Sequence, residues 1–365
     1  WKNKRVLITG HNGFKGTWLT IWLLTLGAKV WGFSLSSQSS PKLFEEIQKE
    51  SNNSDLWHNF EEVHRDIKEI NKISSYVDAV KPDIIFHLAA QSLVRESYFN
   101  PIETWATNVI GSLNILESLK TYKTECAIVM VTTDKVYENK EWCYGYREND
   151  PIGGIDPYSS SKAAMELVVS SWRNSFVGDK LNQNSNLKIA TARAGNVIGG
   201  GDWAKDRIIP DIVKSISNKK ELIIRNPTSI RPWQHVLDPL HGYILLAEKL
   251  YISRLDNEDN HNIFSAFNFG PSFKSNKNVE NLVIKFFEYW EGSYKISKDK
   301  SNLHEANYLY LMSDKARNIL KWESILDFEN SVKLTANWYK DFYNSGKSFS
   351  SCIKNINQFQ RMLGI

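Results

Sequence analysis

The stretch TGHNGFKG, Thr9 to Gly16, decides the fold of this chain. It continues the apolar run RVLITG (5–10), which predicts a buried strand, and it leads into TWLTIWLLTLG (17–27), which predicts an apolar helix. A strand, a glycine loop and a helix in this order bind the phosphates of a dinucleotide at the helix N-terminus. The stretch therefore predicts a dinucleotide-binding site.

The three glycines of this loop have separate expected tasks. Gly10 would permit the tight turn, Gly13 would let the backbone approach a pyrophosphate, and Gly16 would let the helix pack closely on the strand. The spacing is GxxGxxG and not the more familiar GxGxxG. The prediction therefore rests on the strand and helix around the glycines as much as on their spacing.

The second predicted strand, KVWGFSL (29–35), ends without an acidic residue that could hold the adenosine ribose, which leaves NAD and NADP both open at this point. Asp66, in HRDI, follows a predicted third strand. It could reach the adenine amino group, or it could be a solvated loop aspartate. The pattern alone favours neither interpretation.

Strand and helix signals alternate through the first half of the chain. Further apolar runs predict strands at 83–90, 127–134 and 188–196, and helical patterns lie at 104–120 and 158–172. Continuous apolar strands separated by helices are typical of a parallel sheet covered on both faces. The fold class predicted is α/β, a Rossmann-like doubly wound parallel sheet with a smaller C-terminal substrate-binding lobe.

The regular alternation ends near Asn196. The stretches GGGDW (199–203) and NPTSIRPW (226–233) are typical of loops, whereas PLHGYILLAEKLY (239–251) predicts a helix that returns to the first lobe. We expect a dinucleotide-binding domain from 1–196 plus about 231–265. The second lobe would comprise about 197–230 and 266–365.

Composition narrows the function classes. The net charge of +4 is spread along 365 residues, which argues against nucleic-acid binding, and no run of about 18 apolar residues suggests a membrane span. The eight histidines form no metal-ligand cluster. Cys126, Cys143 and Cys352 are odd in number and far apart, so they suggest a reducing compartment. A soluble cytoplasmic protein without a metal is predicted.

The stretch VTTDKVY, Val131 to Tyr137, places ionisable groups at the end of a predicted buried strand. Carboxylates and amines are uncommon in such a place unless they are paired or functional. Asp134 and Lys135 are therefore candidate catalytic residues. The alternative is a strand-end ion pair, which would contribute only about 0–1 kcal/mol if it were exposed.

A tyrosine and a lysine, Tyr158 and Lys162, stand four residues apart in PYSSSK. On a helix this spacing puts them on one face, about 6 Å apart along the axis. A nearby ammonium favours the phenolate, and a phenolate can take a proton from a sugar hydroxyl. The same spacing recurs at Tyr294 with Lys298 and at Tyr343 with Lys347, which we interpret as surface pairs.

Together these motifs resemble the extended short-chain dehydrogenase/reductase family, in its nucleotide-sugar dehydratase branch. The pieces that carry the resemblance are TGHNGFKG (9–16), HLAAQ (87–91), TNVIG (107–111), VTTDK (131–135), YSSSK (158–162), RAGNVIGGGDW (193–203) and RPWQHV (231–236). Dehydratases of this branch generally carry Thr-Asp-Glu at the strand end. The Thr-Asp-Lys here is similar to what the CDP-glucose branch is expected to show.

The resemblance implies a 4,6-dehydratase that uses NAD on a CDP-sugar, in deoxysugar biosynthesis such as that of an O-antigen. It implies that Tyr158 deprotonates the C4 hydroxyl, that Thr133 hydrogen-bonds the C4 oxygen and that Asp134 protonates the departing C6 hydroxyl. Lys135 would either move the C5 proton as a neutral amine or hold Asp134 in place, and the sequence leaves both open. Lys162 completes the catalytic set.

The resemblance also implies two sets of contacts. The expected NAD contacts are Gly10, Asn12, Gly13, Phe14, Lys15, Gly16, Asp66, Ile67, Leu88, Ala89, Ala90, Thr107, Thr132, Tyr158 and Lys162. The expected substrate contacts are Gln91, Ser92, Asn196, Arg207, Arg231 and Tyr308. Related dTDP-glucose enzymes carry arginines just before that tyrosine, where this chain has residues 304–307, HEAN.

Three other interpretations compete. A 4-epimerase would need no acid for losing the C6 hydroxyl, and a GDP-mannose dehydratase should keep a glutamate at position 135. A silent dinucleotide-binding protein would typically lose the tyrosine–lysine pair.

Family members usually dimerise through two helices per subunit, so we also expect a homodimer, or a higher homo-oligomer, built on 104–120 and 158–172.

Overall fold

The computed structural model describes residues 1–36, 41–178, 183–255, 262–297 and 308–365. Its strands are β1 (Arg5–Thr9), β2 (Lys29–Ser34), β3 (Phe60–His64), β4 (Ile84–His87), β5 (Cys126–Val131), β6 (Leu187–Arg193), β7 (Val197–Ile198), β8 (Leu222–Ile224), β9 (Ile230–Pro232), β10 (Gln234–His235), β11 (Ala266–Asn268), β12 (Asn276–Asn278) and β13 (Tyr294–Ile296).

Helices separate most of these strands. They are α1 (Phe14–Thr25), α2 (Leu43–Glu50), α3 (Ile70–Val80), α4 (Val94–Phe99), α5 (Pro101–Trp105), α6 (Gly111–Leu119), α7 (Pro157–Phe176), α8 (Ile208–Ser217), α9 (Leu237–Ile252), α10 (Val279–Tyr289), α11 (Phe328–Ser345) and α12 (Phe349–Leu363). Short 3₁₀ turns lie at Asp55–Asn59, Asp134–Val136 and Phe273–Ser275, and π-helical turns at Ala106–Ile110 and Ala316–Leu320.

Seven strands form one parallel sheet in the order β11-β6-β5-β4-β1-β2-β3. The doubly wound fold predicted from the sequence is confirmed. The strand order reverses between β1 and β4, and ligands of such sheets bind at the carboxyl ends of the strands beside that point. The order therefore positions the glycine loop, which follows β1, at the expected ligand crevice.

The strands are apolar throughout because both faces of the sheet are covered. Along β1, Val6 and Ile8 join one core cluster with α1 and α9, whereas Leu7 between them joins the other with α3, α6 and α7. The same alternation runs through β4, β5 and β6. Two cores thus fix the sheet rigidly beneath the crevice.

Smaller elements lie beside the sheet. Three two-stranded ribbons pair β7 with β10, β8 with β13, and β9 with β12. The last strand of the large sheet, β11, pairs with β6 just beyond the boundary at 265 expected from the sequence, so residues 266–268 belong to the sheet. The helix α12 packs against α1 and α2. The division into two lobes otherwise remains a proposal.

One predicted helix is broken in the structure. The sequence predicted a single helix at 104–120, and the structure has α5, a π-helical turn at Ala106–Ile110 and α6 in its place. Single π turns inside helices are frequent at functional sites.

Among the described helices, none is both long and apolar enough to cross a bilayer.

Candidate active site

A cleft of about 860 Å³ opens at the carboxyl ends of the central strands. Its walls come from the glycine loop, the end of β5, the start of α7, the segment after β6 and the end of β8. This volume lies within the roughly 300–1,000 Å³ range of small-molecule and cofactor sites. The cleft contains most of the residues predicted as functional.

The glycine loop has the geometry that a pyrophosphate requires. Gly10 has φ +73°, and a Cβ there would lie 2.8 Å from the Ala89 backbone nitrogen. A Cβ at Gly16 would lie 2.1 Å from the Gly10 carbonyl oxygen. At Gly13 a Cβ would meet only that same oxygen, at 3.3 Å, so the loop is open on its ligand side. The helix α1 then begins at once, with its N–H groups free for an anion.

All of the predicted NAD contacts line the cleft, and two of them have additional tasks. Asp66 accepts a hydrogen bond from the Lys68 nitrogen at 2.9 Å, so it stabilises its own turn as well as facing the cleft. The Asn12 amide donates to the Leu35 carbonyl at 2.8 Å and ties the glycine loop to the end of β2. Both roles proposed for Asp66 from the sequence thus remain compatible with its position.

The start of α7 delivers the tyrosine and lysine to the cleft. Asp156 caps the helix by accepting from the Ser159 nitrogen at 2.9 Å, and Pro157 occupies the first turn, where its missing N–H costs nothing. Lys162 is buried and donates to the Val131 carbonyl at 3.1 Å, at the end of β5. The phenol of Tyr158 hydrogen-bonds Thr133 on the same strand end.

Burial shifts the pKa values of Tyr158 and Lys162. It raises the pKa of Tyr158 to about 12, an effect that the Thr133 hydrogen bond and the positive charge of Arg207 partly offset. Burial, together with the nearby charge of Lys15, lowers the pKa of Lys162 to about 7. The sequence predicted that the ammonium of Lys162 would favour the phenolate form of Tyr158. In the structure, Thr133 and Arg207 are the groups that lower the pKa of Tyr158.

The Thr-Asp-Lys stretch forms the floor of the cleft. Asp134 is 1% exposed, and its Oδ1 accepts from the Thr133 hydroxyl at 3.0 Å and from Lys135 Nζ at 3.4 Å. The carboxylate is therefore held by an alcohol and an ammonium, one on each side of it in sequence. The ion pair suggested as an alternative exists, and it also faces the ligand space.

Two residues after β6, Gly195 and Asn196, lie against the Asp134 carboxylate on its other side. Asn196 Nδ2 donates to Asp134 Oδ2 at 3.2 Å, and Asn196 has φ +48°, a left-handed conformation that costs energy outside glycine. A Cβ at Gly195 would lie 2.0 Å from the Asp134 carboxyl carbon. Asn196 was predicted from the sequence as a substrate contact, whereas Gly195 was not predicted. Only the glycine in RAGN pointed to such a close approach.

Replacing Gly195 by Ala is expected to displace Asp134 and to lower kcat, because the new methyl group would occupy the space of the carboxylate. We expect a loss of about 10²-fold, the lower part of the range for losing a positioned acid. Steady-state turnover measures it. Gly153→Ala is the matched control, since its Cβ would meet only Glu138, at 3.7 Å. Equal activity of both variants would contradict a fixed position for Asp134.

The predicted substrate residues divide into two groups. Ser92, Asn196, Arg207 and Arg231 line the cleft, and Arg207 donates to Asp202 at 2.9 Å and to Ser92 at 3.3 Å. The negative charge of Asp202 raises the pKa of Arg207. The guanidinium is thus charged and oriented at the wall of the cleft.

Gln91 and Tyr308 do not line the cleft in the described structure. The Gln91 side chain accepts from the Leu93 nitrogen at 2.5 Å and donates to the Thr104 hydroxyl at 2.9 Å, so it shapes the loop after β4. Tyr308 packs against Tyr310 and precedes Leu309, which does line the cleft. Residues 304–307, compared above with the dTDP-glucose enzymes, lie outside the described residues.

The mouth of the cleft holds charges that sequence analysis missed. Asp206, at φ +61°, accepts from Arg225 at 3.1 Å and from Arg95 at 3.4 Å. Both arginines line the cleft and are cations that an anionic ligand could approach. Nothing in their sequence spacing relates these three residues, because they come from three separate segments.

Two further predictions concern the other tyrosine–lysine matches and a metal site. Tyr343 is 44% exposed, in agreement with a surface pair at Tyr343 and Lys347, whereas Lys298 of the remaining match lies outside the described residues. Among the described residues, no group of three His, Cys, Asp or Glu side chains is arranged to hold a metal ion.

Comparison with known proteins identifies similar chains along almost the whole length. Residues 7–335 match the family model described as GDP-mannose 4,6 dehydratase. A CDP-glucose 4,6-dehydratase of Salmonella typhimurium is 45% identical over 341 residues, which cover 93% of this chain and 91% of that protein. A dTDP-glucose 4,6-dehydratase of Haemophilus influenzae is 25% identical, covering 94% of this chain and 99% of that protein.

A solved structure gives the same fold. The dTDP-glucose 4,6-dehydratase of Bacillus anthracis, crystallised in complex with NAD, aligns with a TM-score of 0.73 and 21% identity. The alignment covers 94% of this chain and 98% of that one.

Proposed function

The chain belongs to the GDP-mannose 4,6-dehydratase family, and we propose that it converts CDP-glucose to CDP-4-keto-6-deoxy-D-glucose. The reaction oxidises C4, removes water across C5 and C6, and reduces C6. The observation that carries the proposal is that one cleft brings a buried tyrosine, Tyr158, and a buried carboxylate, Asp134, to the same strand end. Such a pair supplies a base for C4 and an acid for the C6 hydroxyl.

NAD is the cofactor, and the cleft fits it. The glycine loop leaves an open cradle that a Cβ at Gly10 or Gly16 would close, and α1 points its N-terminus at that cradle. When bound, NAD supplies the hydride acceptor for C4 and the hydride donor for C6. The residues expected to hold its phosphates are Gly10 to Gly16, with Asp66 and Ile67 toward the adenine end.

The residues of the strand end divide the proton chemistry. Tyr158 takes the C4 hydroxyl proton while Thr133 hydrogen-bonds the C4 oxygen, and Asp134 gives a proton to the departing C6 oxygen. The contact between Lys135 Nζ and Asp134 supports a role for Lys135 in holding the carboxylate. A role as the C5 base would instead require the neutral amine.

The substrate diphosphate meets the cationic side of the cleft. We assign it to Arg207 and Arg231, with Arg225 as an additional cation at the mouth. The second lobe, which contributes Arg207 and Arg225, would then bind the nucleotide together with Arg231 at the boundary between the two lobes. Three free cysteines support a reducing compartment, and we propose a cytoplasmic enzyme of deoxysugar biosynthesis, such as that of an O-antigen.

The experiment that tests the function is a substrate panel. Purified protein is incubated with CDP-, dTDP-, UDP- and GDP-hexoses and catalytic NAD⁺, and the products are followed by mass spectrometry. We expect CDP-glucose to lose one water without net formation of NADH. A product of unchanged mass would indicate a 4-epimerase, which has no use for the acid Asp134, and would refute the proposal.

We also propose a homodimer, built on the surface of α5 and the π-helical turn that follows it. Ile102, Trp105 and Ile110 are exposed there and line a shallow apolar groove, and Leu167 on α7 is exposed as well. Exposed apolar patches of this kind usually mark association surfaces. Family members associate through helices at the corresponding positions.

Ile102→Glu is expected to convert the dimer to a monomer, because the substitution would bury a charge in an apolar contact. Analytical ultracentrifugation at several protein concentrations measures the change. Ile252→Glu, at an exposed isoleucine at the end of α9, is the control and should leave the mass unchanged. A wild-type protein that sediments as a monomer at every concentration would refute the proposed dimer.

A further inference from the structure

We propose that Arg225 and Asp206, at the mouth of the cleft, select the cytosine base of the substrate through its hydrogen-bonding edge. Arg225 donates to the ring acceptors N3 and O2, and Asp206 accepts from the 4-amino group. The proposal rests on the dehydratase function proposed above and adds the residues that distinguish one nucleotide from another. It also narrows the task of Arg225, which reads the base and not the diphosphate.

The hydrogen bonds of Asp206 and of Arg207, its neighbour in sequence, place the pair beyond the cations assigned to the diphosphate. Arg207 donates to Ser92, in the loop that follows the central strand β4. Asp206 instead accepts from Arg225 at 3.1 Å, at the end of β8, which belongs to a separate ribbon. A nucleotide sugar with its hexose at the end of β5 and its diphosphate at Arg207 therefore extends its base toward Asp206 and Arg225.

The Asp206 carboxylate makes this place unsuitable for a phosphate. Its side chain is 44% exposed beside that of Arg225, which is 37% exposed, so a ligand that approaches the guanidinium also meets the carboxylate. An anion would be repelled there, whereas a neutral base would not. Asp202, the partner of Arg207, is only 6% exposed and leaves that guanidinium available to an anion. The two arginines therefore suit different parts of the substrate.

The pair presents the hydrogen-bonding pattern that cytosine requires. A carboxylate only accepts and a guanidinium only donates, through five N–H groups. Arg225 Nη1 donates to Asp206 Oδ1, and Arg95 Nη1 donates to the same oxygen at 3.4 Å. Within the described residues, no hydrogen bond reaches Asp206 Oδ2 and no other side-chain N–H of Arg225 donates one. The oxygen is therefore open to the 4-amino group, and the N–H groups are open to N3 and O2.

The same pattern rejects the other bases. Uracil and thymine carry a hydrogen on N3 and an oxygen at C4, so donor would face donor at Arg225 and acceptor would face acceptor at Asp206. Guanine presents the opposite of the cytosine pattern along its whole edge. A site built to hydrogen-bond a particular group discriminates strongly against a ligand that lacks it, because the groups of the site are then left unpaired.

The backbone and the surroundings of Asp206 support a binding role. Its φ of +61° is a left-handed conformation that is uncommon outside glycine, and such strain clusters at ligand sites. Its ion pairs with Arg95 and Arg225 are exposed and contribute little to stability, so they do not explain the conformation. Ile223, on β8 two residues before Arg225, is 57% exposed and lines the cleft, which gives the base ring an apolar surface.

Binding of nucleoside diphosphates to the NAD-loaded protein tests the proposal without turnover. Isothermal titration calorimetry compares CDP, UDP and two CDP analogues, the 2-pyrimidinone analogue without the 4-amino group and the 3-deaza analogue without the N3 acceptor. The variants are Arg225→Leu and Asp206→Gly, which keeps the left-handed backbone and removes only the side chain. Lys295→Leu is the matched control, because Lys295 on β13 forms an exposed ion pair with Glu221 at 3.2 Å and does not line the cleft.

We expect Arg225→Leu to weaken the binding of CDP by about 10- to 100-fold, the range for losing a bidentate contact to a base, and to weaken that of UDP much less. The 3-deaza analogue should bind the wild-type protein weakly and lose little more in Arg225→Leu, and the 2-pyrimidinone analogue should behave in the same way with Asp206→Gly. Lys295→Leu should match the wild-type protein. Equal weakening of CDP and UDP by Arg225→Leu would show that Arg225 binds the phosphates, and it would overturn the proposal.

Turnover separates this proposal from the function on which it rests. In Arg225→Leu, the KM for CDP-glucose should rise by a similar factor while kcat stays near the wild-type value, because the base lies far from the reacting carbons. A variant that keeps the wild-type KM and the wild-type preference for CDP would overturn the assignment of the base. Wild-type protein that binds CDP in preference to UDP but leaves CDP-glucose unchanged would instead refute the dehydratase function.

Discussion

Tyr158→Phe is expected to lower kcat by about 10²–10⁴-fold while the protein remains folded. Phenylalanine fills the same buried space and removes only the hydroxyl, which is hydrogen-bonded to Thr133 at the strand end. Without it the C4 hydroxyl has no base, and the first step stops. We therefore expect no transient NADH in a single turnover, in contrast to Asp134→Asn, in which oxidation proceeds and elimination does not.

Stopped-flow absorbance of NADH, with mass spectrometry of the product, distinguishes these variants. The matched control is Tyr343→Phe, because Tyr343 has the same four-residue spacing to a lysine but is exposed on α11. It should turn over as the wild-type protein does. Transient NADH in Tyr158→Phe at the wild-type rate would show that another group deprotonates C4.

Burial explains why this tyrosine needs neighbours. It raises the pKa of Tyr158 to about 12 and lowers that of Lys162 to about 7, so burial alone favours the neutral form of both groups. The Thr133 hydrogen bond and the charge of Arg207 shift the Tyr158 pKa back toward the phenolate. Since Arg207 lies among the predicted substrate contacts, the strength of the base depends on residues of the substrate side.

The features that were predicted correctly from the sequence are those that depend on a local sequence pattern. The parallel sheet and the family were both confirmed, because each is encoded in short apolar runs and fixed spacings. Boundaries were less accurate. The strand predicted to 134 ends at Val131, because Asp134–Val136 turns into a short 3₁₀ helix that accommodates the buried carboxylate.

Contacts between distant segments could not be read from spacing. Asp134 and Asn196 lie 62 positions apart, and no pattern in either segment shows that they meet. Gln91 was expected near the sugar from the family resemblance, and in the structure its amide contacts Leu93 and Thr104. Which polar side chains face a ligand and which ones satisfy the backbone is decided by tertiary packing.

Glu166→Gln is expected to lower the free energy of unfolding by about 3–5 kcal/mol, the cost of leaving one charge of a buried pair without its partner. Glu166 and Arg193 have side chains only 3% and 5% exposed, and Glu166 accepts from both Nε and Nη2 of Arg193 at 2.9 Å. Urea unfolding followed by tryptophan fluorescence measures the change. Asp314→Asn is the control, because the Asp314–Arg317 pair is 54% exposed on both sides and should contribute about 0–1 kcal/mol.

The same substitution should change the response to acid. Burial opposes the charge of Glu166, but Arg193 and the hydroxyls of Thr132 and Thr191 hold its pKa below the ordinary value of 4.5. A carboxyl whose pKa is lower in the folded state contributes stability that is present above the unfolded pKa and is lost as the pH falls through the folded one. Glu166→Gln should therefore lose part of this acid dependence below about pH 4.5. A fall in stability no larger than that of Asp314→Asn, with the acid dependence unchanged, would contradict this account of the pair.

The buried Glu166–Arg193 pair should also affect catalysis, through the hydrogen bond between Thr132 and Glu166. Thr132 donates to Glu166 at 2.5 Å and directly precedes Thr133, so the buried pair anchors the strand end that carries Thr133 and Asp134. Loss of the charge on Glu166 should consequently lower kcat even at temperatures where the variant is fully folded. Steady-state turnover at such a temperature measures the effect, and a wild-type kcat there would contradict this role of the buried pair.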